Sequence, residues 1–359
     1  MITKSVAEIN KYVGSSVNPM TTPDQIYELY SVPSFESGSP EIVSGADIGS
    51  TKVVVEDGDI LICKINPRIN RVWVVHHNTE YPLLASSEWI VVRNATMNSD
   101  YLKWYFSSPI FHTLLTSQVT GIGGSLTRAQ PKQVAKYPVP IPSRDEQDYV
   151  ANILTCIDNL IRKYQQCIIS IDQLVKSRFI ELFGEPLSNQ KGWQTMSIVE
   201  AAPIKSQRGD LADEVWLLNL DAVEPQTGTV LFKHRVQSGE INASTVYFTT
   251  ENVLYSKLRP YLNKVVMPDE DGVATSEMIP MYPLADRLNR AYLCYWLRSD
   301  AFVKHISEKV AGAKMPRVSM DYFRSLAIEL PPLELQEQFA AFVEQTDKSK
   351  LCGKMEVAA

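Results

Sequence analysis

Asp59-Ile-Leu-Ile-Cys-Lys-Ile-Asn-Pro-Arg-Ile-Asn-Arg-Val72 and Asn252-Val-Leu-Tyr-Ser-Lys-Leu-Arg-Pro-Tyr-Leu-Asn-Lys-Val265 are one stretch written twice. Lys64 falls on Lys257, Pro67 on Pro260, Asn70 on Asn263 and Arg71 on Lys264. Upstream, Ile48 to Val55 lines up with Ile241 to Phe248. Downstream, Ala85-Ser-Ser-Glu88 answers Ala274-Thr-Ser-Glu277, Gly123 to Arg128 answers Gly312 to Arg317, and Val139-Pro-Ile-Pro142 answers Ile328-Glu-Leu-Pro331. The offset stays at about 190 residues throughout, so two copies of one module follow each other along the chain.

Each module reads mainly as strands. Val53 to Val55, Ile60 to Ile62, Val72 to Val75 and Ile90 to Val92 are short apolar, mostly β-branched runs bounded by turn residues. Asp57-Gly58 is a strong turn signal ahead of the Ile60 run. A helix is expected over Ser99 to Leu115, where Leu102, Tyr105-Phe106 and Leu114 recur at helical spacing and Pro109 interrupts. Its counterpart is Leu288 to Val310.

Between the modules the pattern changes. Ser143 with Glu146 three residues on is a capping box. After it Val150, Ile157, Tyr164 and Ile171 recur every seven residues, with Ile153/Leu154, Leu160/Ile161, Cys167/Ile168 and Leu174/Val175 between them. The seam persists to about Phe183, where Gly184-Glu-Pro186 ends it, giving about 40 helical residues, or roughly 60 Å. Such a stripe needs a partner helix. The second copy starts at Pro331-Pro-Leu-Glu-Leu-Gln336, carries Phe339 and Phe342, and reads as only about half as long, ending near Asp347 to Lys350.

At 359 residues the chain suits two domains of ordinary size, and 45% hydrophobic with 21% charged residues is a globular balance. Met1 to Asn10 does not read as a signal peptide, and no apolar run of about 18 residues occurs. The expectation is a soluble, cytoplasmic chain without a membrane partner. Five scattered cysteines argue against a disulfide framework, and the five histidines show no metal-ligand spacing. No P-loop, no glycine-rich G-x-G-x-x-G opening a helix, no amino-methyltransferase tetrapeptide and no G-x-S-x-G elbow is present, so no catalytic residue, cofactor or metal site is assigned.

What both modules repeat is a turn rich in cations. The first has Lys64, Arg68 and Arg71 interleaved with Asn66 and Asn70; the second has Lys257, Arg259 and Lys264 with Tyr261 and Asn263. A second cluster, Arg128, Lys132 and Lys136, is answered by Lys314, Arg317 and Arg324. Arginine and lysine suit guanine edges and phosphates, and asparagine suits adenine. A solvated hairpin tip is the plain alternative; retention of the lysine and the last cation in both copies favours function. The net charge of −6 counts against a surface that grips nucleic acid everywhere, though clustering matters more than the sum. The segments Met20 to Gly45 and Gln207 to Gly239, by contrast, share little beyond Gly38 and Gly228, as expected if each module reads a different short sequence.

In this order the chain resembles the specificity subunits of type I restriction–modification systems. The carriers are Gly58 to Lys64, the paired proline turns, Pro140-Ile-Pro142 leading into Glu146-Gln147, Leu330-Pro-Pro332 leading into Gln336, and the helix end Arg178-Phe-Ile-Glu-Leu-Phe-Gly184. The resemblance implies an α+β fold: two tandem mainly-β target-recognition domains, 1–142 and 187–332, joined by long helices, 143–186 and 333–359, that form an antiparallel coiled coil with an internal pseudo-two-fold repeat. It implies a non-catalytic subunit reading a bipartite, asymmetric double-stranded DNA site, one half-site per domain, with the helices as spacer and docking surface. The implied partners are two modification subunits and a motor–nuclease subunit, to which S-adenosylmethionine, ATP and Mg2+ would belong. Lys64, Asn66, Arg68, Arg71 and Arg128 would then serve the first half-site, and Lys257, Arg259, Lys264, Lys314 and Arg317 the second. The short last helix departs from the family's pattern and suggests a homodimer through the exposed central helix. The rival readings are an unrecognised fused enzyme and a coiled-coil scaffold that never touches DNA.

Overall fold

The computed structural model describes residues 2–120, 127–206, 213–241, 244–310 and 315–358. The chain divides into two compact units, Met1–Arg162 and Lys163–Ala359, and each contains one copy of the repeat.

In the first unit the strand Ile2–Ser5 pairs antiparallel with Pro138–Ile141, so the module is closed by its own first and last strands. Between them lies a five-stranded sheet in the order Ser16–Val17, Lys52–Val54, Leu83–Ala85, Ile26–Tyr30, Glu41–Ser44. Leu83–Ala85 runs parallel to Ile26–Tyr30 in this sheet. A second sheet sets Ile60–Cys63 between Val72–Val74 and Trp89–Val92. The run Ile60-Leu-Ile-Cys63 is apolar at every position because both of its faces are covered. Ile60 and Ile62 pack with Leu102, Phe106 and Phe111 of the helical layer, while Leu61 and Cys63 pack with Tyr30 and Trp89. Gly58 takes φ +84° in the turn before this strand, a conformation that favours glycine. His76 and His77 lie in the connection just past the Val72–Val74 strand.

The second unit repeats these parts. Gln194–Ser197 pairs with Ala327–Leu330. The larger sheet runs His234–Gln237, Glu214–Leu218, Gly272–Ala274, Val246–Phe248, again with one parallel pair, and the smaller sets Val253–Ser256 between Val265–Val266 and Met278–Met281. The expected helix is two helices in each module: Ser99–Ser107 then Pro109–Ser117, and Arg290–Arg298 then Asp300–Ser307. Pro109 is not what breaks them, since the second copy has Asp300 at that place. The shared feature is a serine cap: Ser108 Oγ accepts from the Phe111 amide at 3.3 Å and Ser299 Oγ from the Phe302 amide at 3.2 Å.

The linker helix Arg144–Phe183 starts with the expected capping box: the Glu146 amide donates to Ser143 Oγ at 3.3 Å, and the Ser143 amide donates back to Glu146 Oε2 at 2.8 Å. It stops at Gly184 (φ +80°), where Trp193 Nε1 donates to the Phe183 carbonyl at 2.9 Å. In the second unit it pairs with the C-terminal helix Leu333–Ala358. Phe179 and Phe183 pack on Phe339 with ring centroids 5.3 and 5.6 Å apart, and Asp172 holds Lys350 at 2.6 Å. Earlier residues of one helix meet later residues of the other, so the pair is antiparallel. The C-terminal helix does not end at Asp347 to Lys350 as its sequence suggests. Lys350 is tied to Asp172 and, at 3.1 Å, to Asp347, so the stretch at which the sequence suggests an end is held within the helix. Among the described residues, no helix is long and apolar enough to cross a membrane.

Candidate nucleic-acid interface

In each module the cationic turn joins the central and neighbouring strands of the small sheet, and a second segment runs beside it. In the first, the Asn66 amide donates to the Thr127 carbonyl at 2.8 Å and the Ala129 amide to the Lys64 carbonyl at 2.8 Å. In the second, the Arg259 amide donates to Pro316 at 2.8 Å and the Val318 amide to Lys257 at 3.0 Å. Asn66 and Arg259 occupy equivalent places, with φ +46° and +50°. Asparagine tolerates that left-handed conformation, so the backbone alone accounts for Asn66; an arginine there is strained.

The two modules share an ion pair that ties the second segment to the residue before the third strand of the small sheet. Arg128 reaches Glu88 through Nε and an Nη at 3.2 and 3.3 Å, and Arg317 reaches Glu277 at 3.1 and 2.9 Å. The hydrogen bonds and the carboxylate charge push both guanidinium groups above the ordinary arginine value. The glutamate and its arginine are 40 residues apart in both copies. That equal separation was the signal, present in the aligned Ala85-Ser-Ser-Glu88 and Ala274-Thr-Ser-Glu277, that could have paired them from sequence.

Other expected contacts are also engaged within their own module. Lys64 Nζ donates to the Ser87 carbonyl at 2.5 Å, and Arg71 Nε to Glu36 at 3.2 Å. Lys264 Nζ donates to the Leu220 carbonyl at 2.6 Å; burial, with nearby Arg259, lowers its pKa. Asn70 Nδ2 donates to Ser107 O at 2.7 Å and Asn263 Nδ2 to Arg298 O at 3.0 Å, the same helix end in each copy. Both asparagines therefore face inward. Of the retained lysine and last cation offered above as a sign of function, Lys64, Arg71 and Lys264 are held within their own modules, whereas the Lys257 side chain is not.

Among the described residues, the side chains of Arg68, Lys257 and Arg259 have no ion-pair or hydrogen-bond partner. Arg68 and Arg259 are exposed, and beside them stand Ile69 and Tyr261, at 45% and 46% exposure. Each turn thus presents a free guanidinium next to an apolar or aromatic surface, which suits phosphate and base contacts. Lys314, Gly123 and Gly312 lie outside the described residues. Gly38 and Gly228, the one similarity between the divergent segments, have φ +70° and +68°. A side chain on Gly228 would collide with the Val265 carbonyl. The segments differ in sequence yet pair their strands alike, Ile26–Tyr30 with Glu41–Ser44 and Glu214–Leu218 with His234–Gln237.

A family model for the type I restriction modification DNA specificity domain matches residues 190–353. The chain is similar to the specificity subunit of the type I restriction enzyme EcoDI from Escherichia coli, 24% identical over 155 residues, which are 43% of this chain and 34% of that protein. It is also similar to the MjaVIII specificity subunit from Methanocaldococcus jannaschii, 22% identical over 335 residues, 84% of this chain and 75% of that one. The chain therefore matches about a third of the first relative's length and three quarters of the second's. Two solved structures share the fold. One comes from work on complex assembly and conformational transition of the type I R-M system, with TM-score 0.57 and 16% identity, covering 99% of this chain and 93% of that chain. The other is a type I restriction–modification S subunit from M. genitalium, with TM-score 0.54 and 11% identity, covering 99% and 92%.

Proposed function

We propose that this chain, which belongs to the type I restriction–modification specificity subunits, reads a bipartite double-stranded DNA site, one half-site per module. The readers are residues 1–142 and 187–332, and the helices at 143–186 and 333–359 space them. The observation that carries the reading is the doubled fold: one scaffold built twice, each copy presenting an uncommitted arginine at the same turn, with unlike sequence in the flanking hairpin. Two equal readers would need no divergence; two readers of different half-sites do.

Arg68 with Ile69, and Arg259 with Tyr261 and Lys257, are the foremost contacts in this reading. Arg128 and Arg317 act first as ties within the module, and Lys64, Arg71 and Lys264 hold the turns in shape. Chemistry is assigned to the partners: two modification subunits, and a motor–nuclease subunit where the complex cuts, working in the cytoplasm. The apolar stripe on the first half of the linker helix is the proposed docking surface for modification subunits, with a second copy of this chain as the competing occupant.

The test is selection of bound DNA from a random library, at fixed salt, by the chain co-purified with its modification subunit. A two-part motif with an invariant gap supports the reading. A stable complex that enriches no motif overturns it in favour of a scaffold.

A further inference from the structure

A glutamine amide out of water is costly unless its donors and acceptor are all engaged. Gln147 and Gln336, one turn into the two long helices, are 3% and 0% exposed. Gln147 Oε1 accepts the Asn98 amide at 3.0 Å, and its Nε2 donates to the Pro142 carbonyl at 3.0 Å. Gln336 Oε1 accepts the Asn289 amide at 2.8 Å, and its Nε2 donates to the Pro331 and Arg287 carbonyls at 2.8 and 3.1 Å. Asn98 and Asn289 are the N-caps of Ser99–Ser107 and Arg290–Arg298, the helices that lie on each module's central strand. Each glutamine therefore bonds the strand-to-helix corner of its own module to the start of a long helix.

The remaining attachment in the first unit is thin. The next tethers along the linker helix are Ala151, which is buried, and Thr155, whose Oγ1 accepts Trp104 Nε1 at 3.0 Å. Asn98 Nδ2 also donates to Asp148 at 2.7 Å, and Arg144 Nε to the same carboxylate at 3.0 Å. Polar groups of fixed geometry, more than apolar area, hold this root. Apolar contacts tolerate sliding; a two-ended amide bridge does not.

We infer that Gln147 and Gln336 are positioning residues that set the direction in which each long helix leaves its module, and thereby the gap between half-sites that the subunit accepts. This rests on the bipartite reading above. Neither glutamine touches DNA in this role, so the half-site sequences should not depend on them.

The experiment compares the full chain with Gln147→Met and Gln336→Met, which keep the side-chain length without its amide. In DNA selection with the modification subunit, the wild type should enrich one gap length. Each variant should enrich the same half-sites with neighbouring gaps admitted, its preference for the native gap over one changed by a base pair falling roughly threefold to tenfold. A variant that melts cooperatively and keeps the single gap overturns the inference. Should Gln147→Met not fold, Gln147→Leu replaces it with the same two outcomes. A second readout stands apart from DNA: spin labels at I110C and N159C, with Cys156, Cys167 and Cys352 changed to serine, report the distance from the module to its own helix. That distribution should widen in Gln147→Met, and an unchanged width overturns the clamp even if the wild type selects no two-part site. In that event it is the bipartite reading that has failed.

Discussion

The linker helix carries one apolar seam but two different surroundings. In the half that belongs to the first unit, Val150, Ile153, Ile157 and Leu160 are 37%, 40%, 47% and 60% exposed. In the half that belongs to the second, Val175, Phe179 and Phe183 are at 0%, 3% and 4%, packed with Phe339 and Val343 of the C-terminal helix. Val175 continues the series Leu154, Ile161, Ile168, whereas Phe179 and Phe183 lie off the seven-residue repeat of Val150 to Ile171, which meets Arg178 next. A seam states that a helix needs a partner; only the chain that reaches it decides where the need is met.

The largest effect expected from this contrast is on stability. Phe179→Ala removes a ring that touches Phe183, Tyr292 and Phe339, and should cost about 3–5 kcal/mol in denaturant unfolding. Ile157→Ala, on the uncovered half, should cost no more than about 0.5 kcal/mol in the isolated chain. Similar losses at the two sites would mean that the first half is already covered.

Leu160→Asp sharpens the same comparison. It should leave the melting temperature of the isolated chain within a few degrees and abolish co-purification with the modification subunit, about a hundredfold loss in affinity. If the isolated wild type instead sediments as a dimer at micromolar concentration and Leu160→Asp makes it monomeric, a second copy is the occupant.

A smaller effect contrasts committed with uncommitted side chains in the turns. Arg259→Asn places in the second module the residue that the first has at the equivalent position, where φ is +50°. It should stabilise the chain by about 1 kcal/mol through relief of the left-handed strain while weakening DNA binding and lowering its salt dependence by about one phosphate contact. Stabilisation with unchanged DNA binding would remove Arg259 from the interface.

The smallest effects are on pH, and they separate the two helix roots. The Asn98 hydrogen bond, then Arg144, holds Asp148 below the ordinary aspartate value. Its contribution is present above about pH 3.9 and lost as the pH falls through the depressed value. Burial works against the charge on Lys350, but Asp172 and Asp347 outweigh it and hold the ammonium above its ordinary value. That contribution is complete below about pH 10.4 and lost as the pH rises through the raised value. Hydrogen exchange should therefore show acid loosening the helix near Asp148 first, and alkali loosening the C-terminal helix near Lys350.

Much of the fold was legible because its signals are local. Asp57-Gly58 set a turn, Ser143 and Glu146 a helix start, and Gly184 a helix stop, each within a few residues. The candidate site was less legible. Lysine and arginine in a turn read alike whether they face solvent or a carboxylate, and Glu88 stands 40 residues from Arg128. The closing strands were missed because Ile2–Ser5 is mostly exposed and has no buried face to announce it.

The sequence by itself determined that one module is built twice, where four of the first module's strands and the turn before Ile60 fall, and that a seven-residue seam joins the copies. These follow from periodicity and turn chemistry, which act over short stretches. Tertiary structure alone decided that Arg128 and Arg317 are spent on Glu88 and Glu277 while Arg68 and Arg259 stay free. It also decided which half of the seam is covered, and that Gln147 and Gln336 clamp their helices. Those outcomes depend on charges and amides brought together from distant parts of the chain, where removal from water makes each unpaired group costly enough to select its partner.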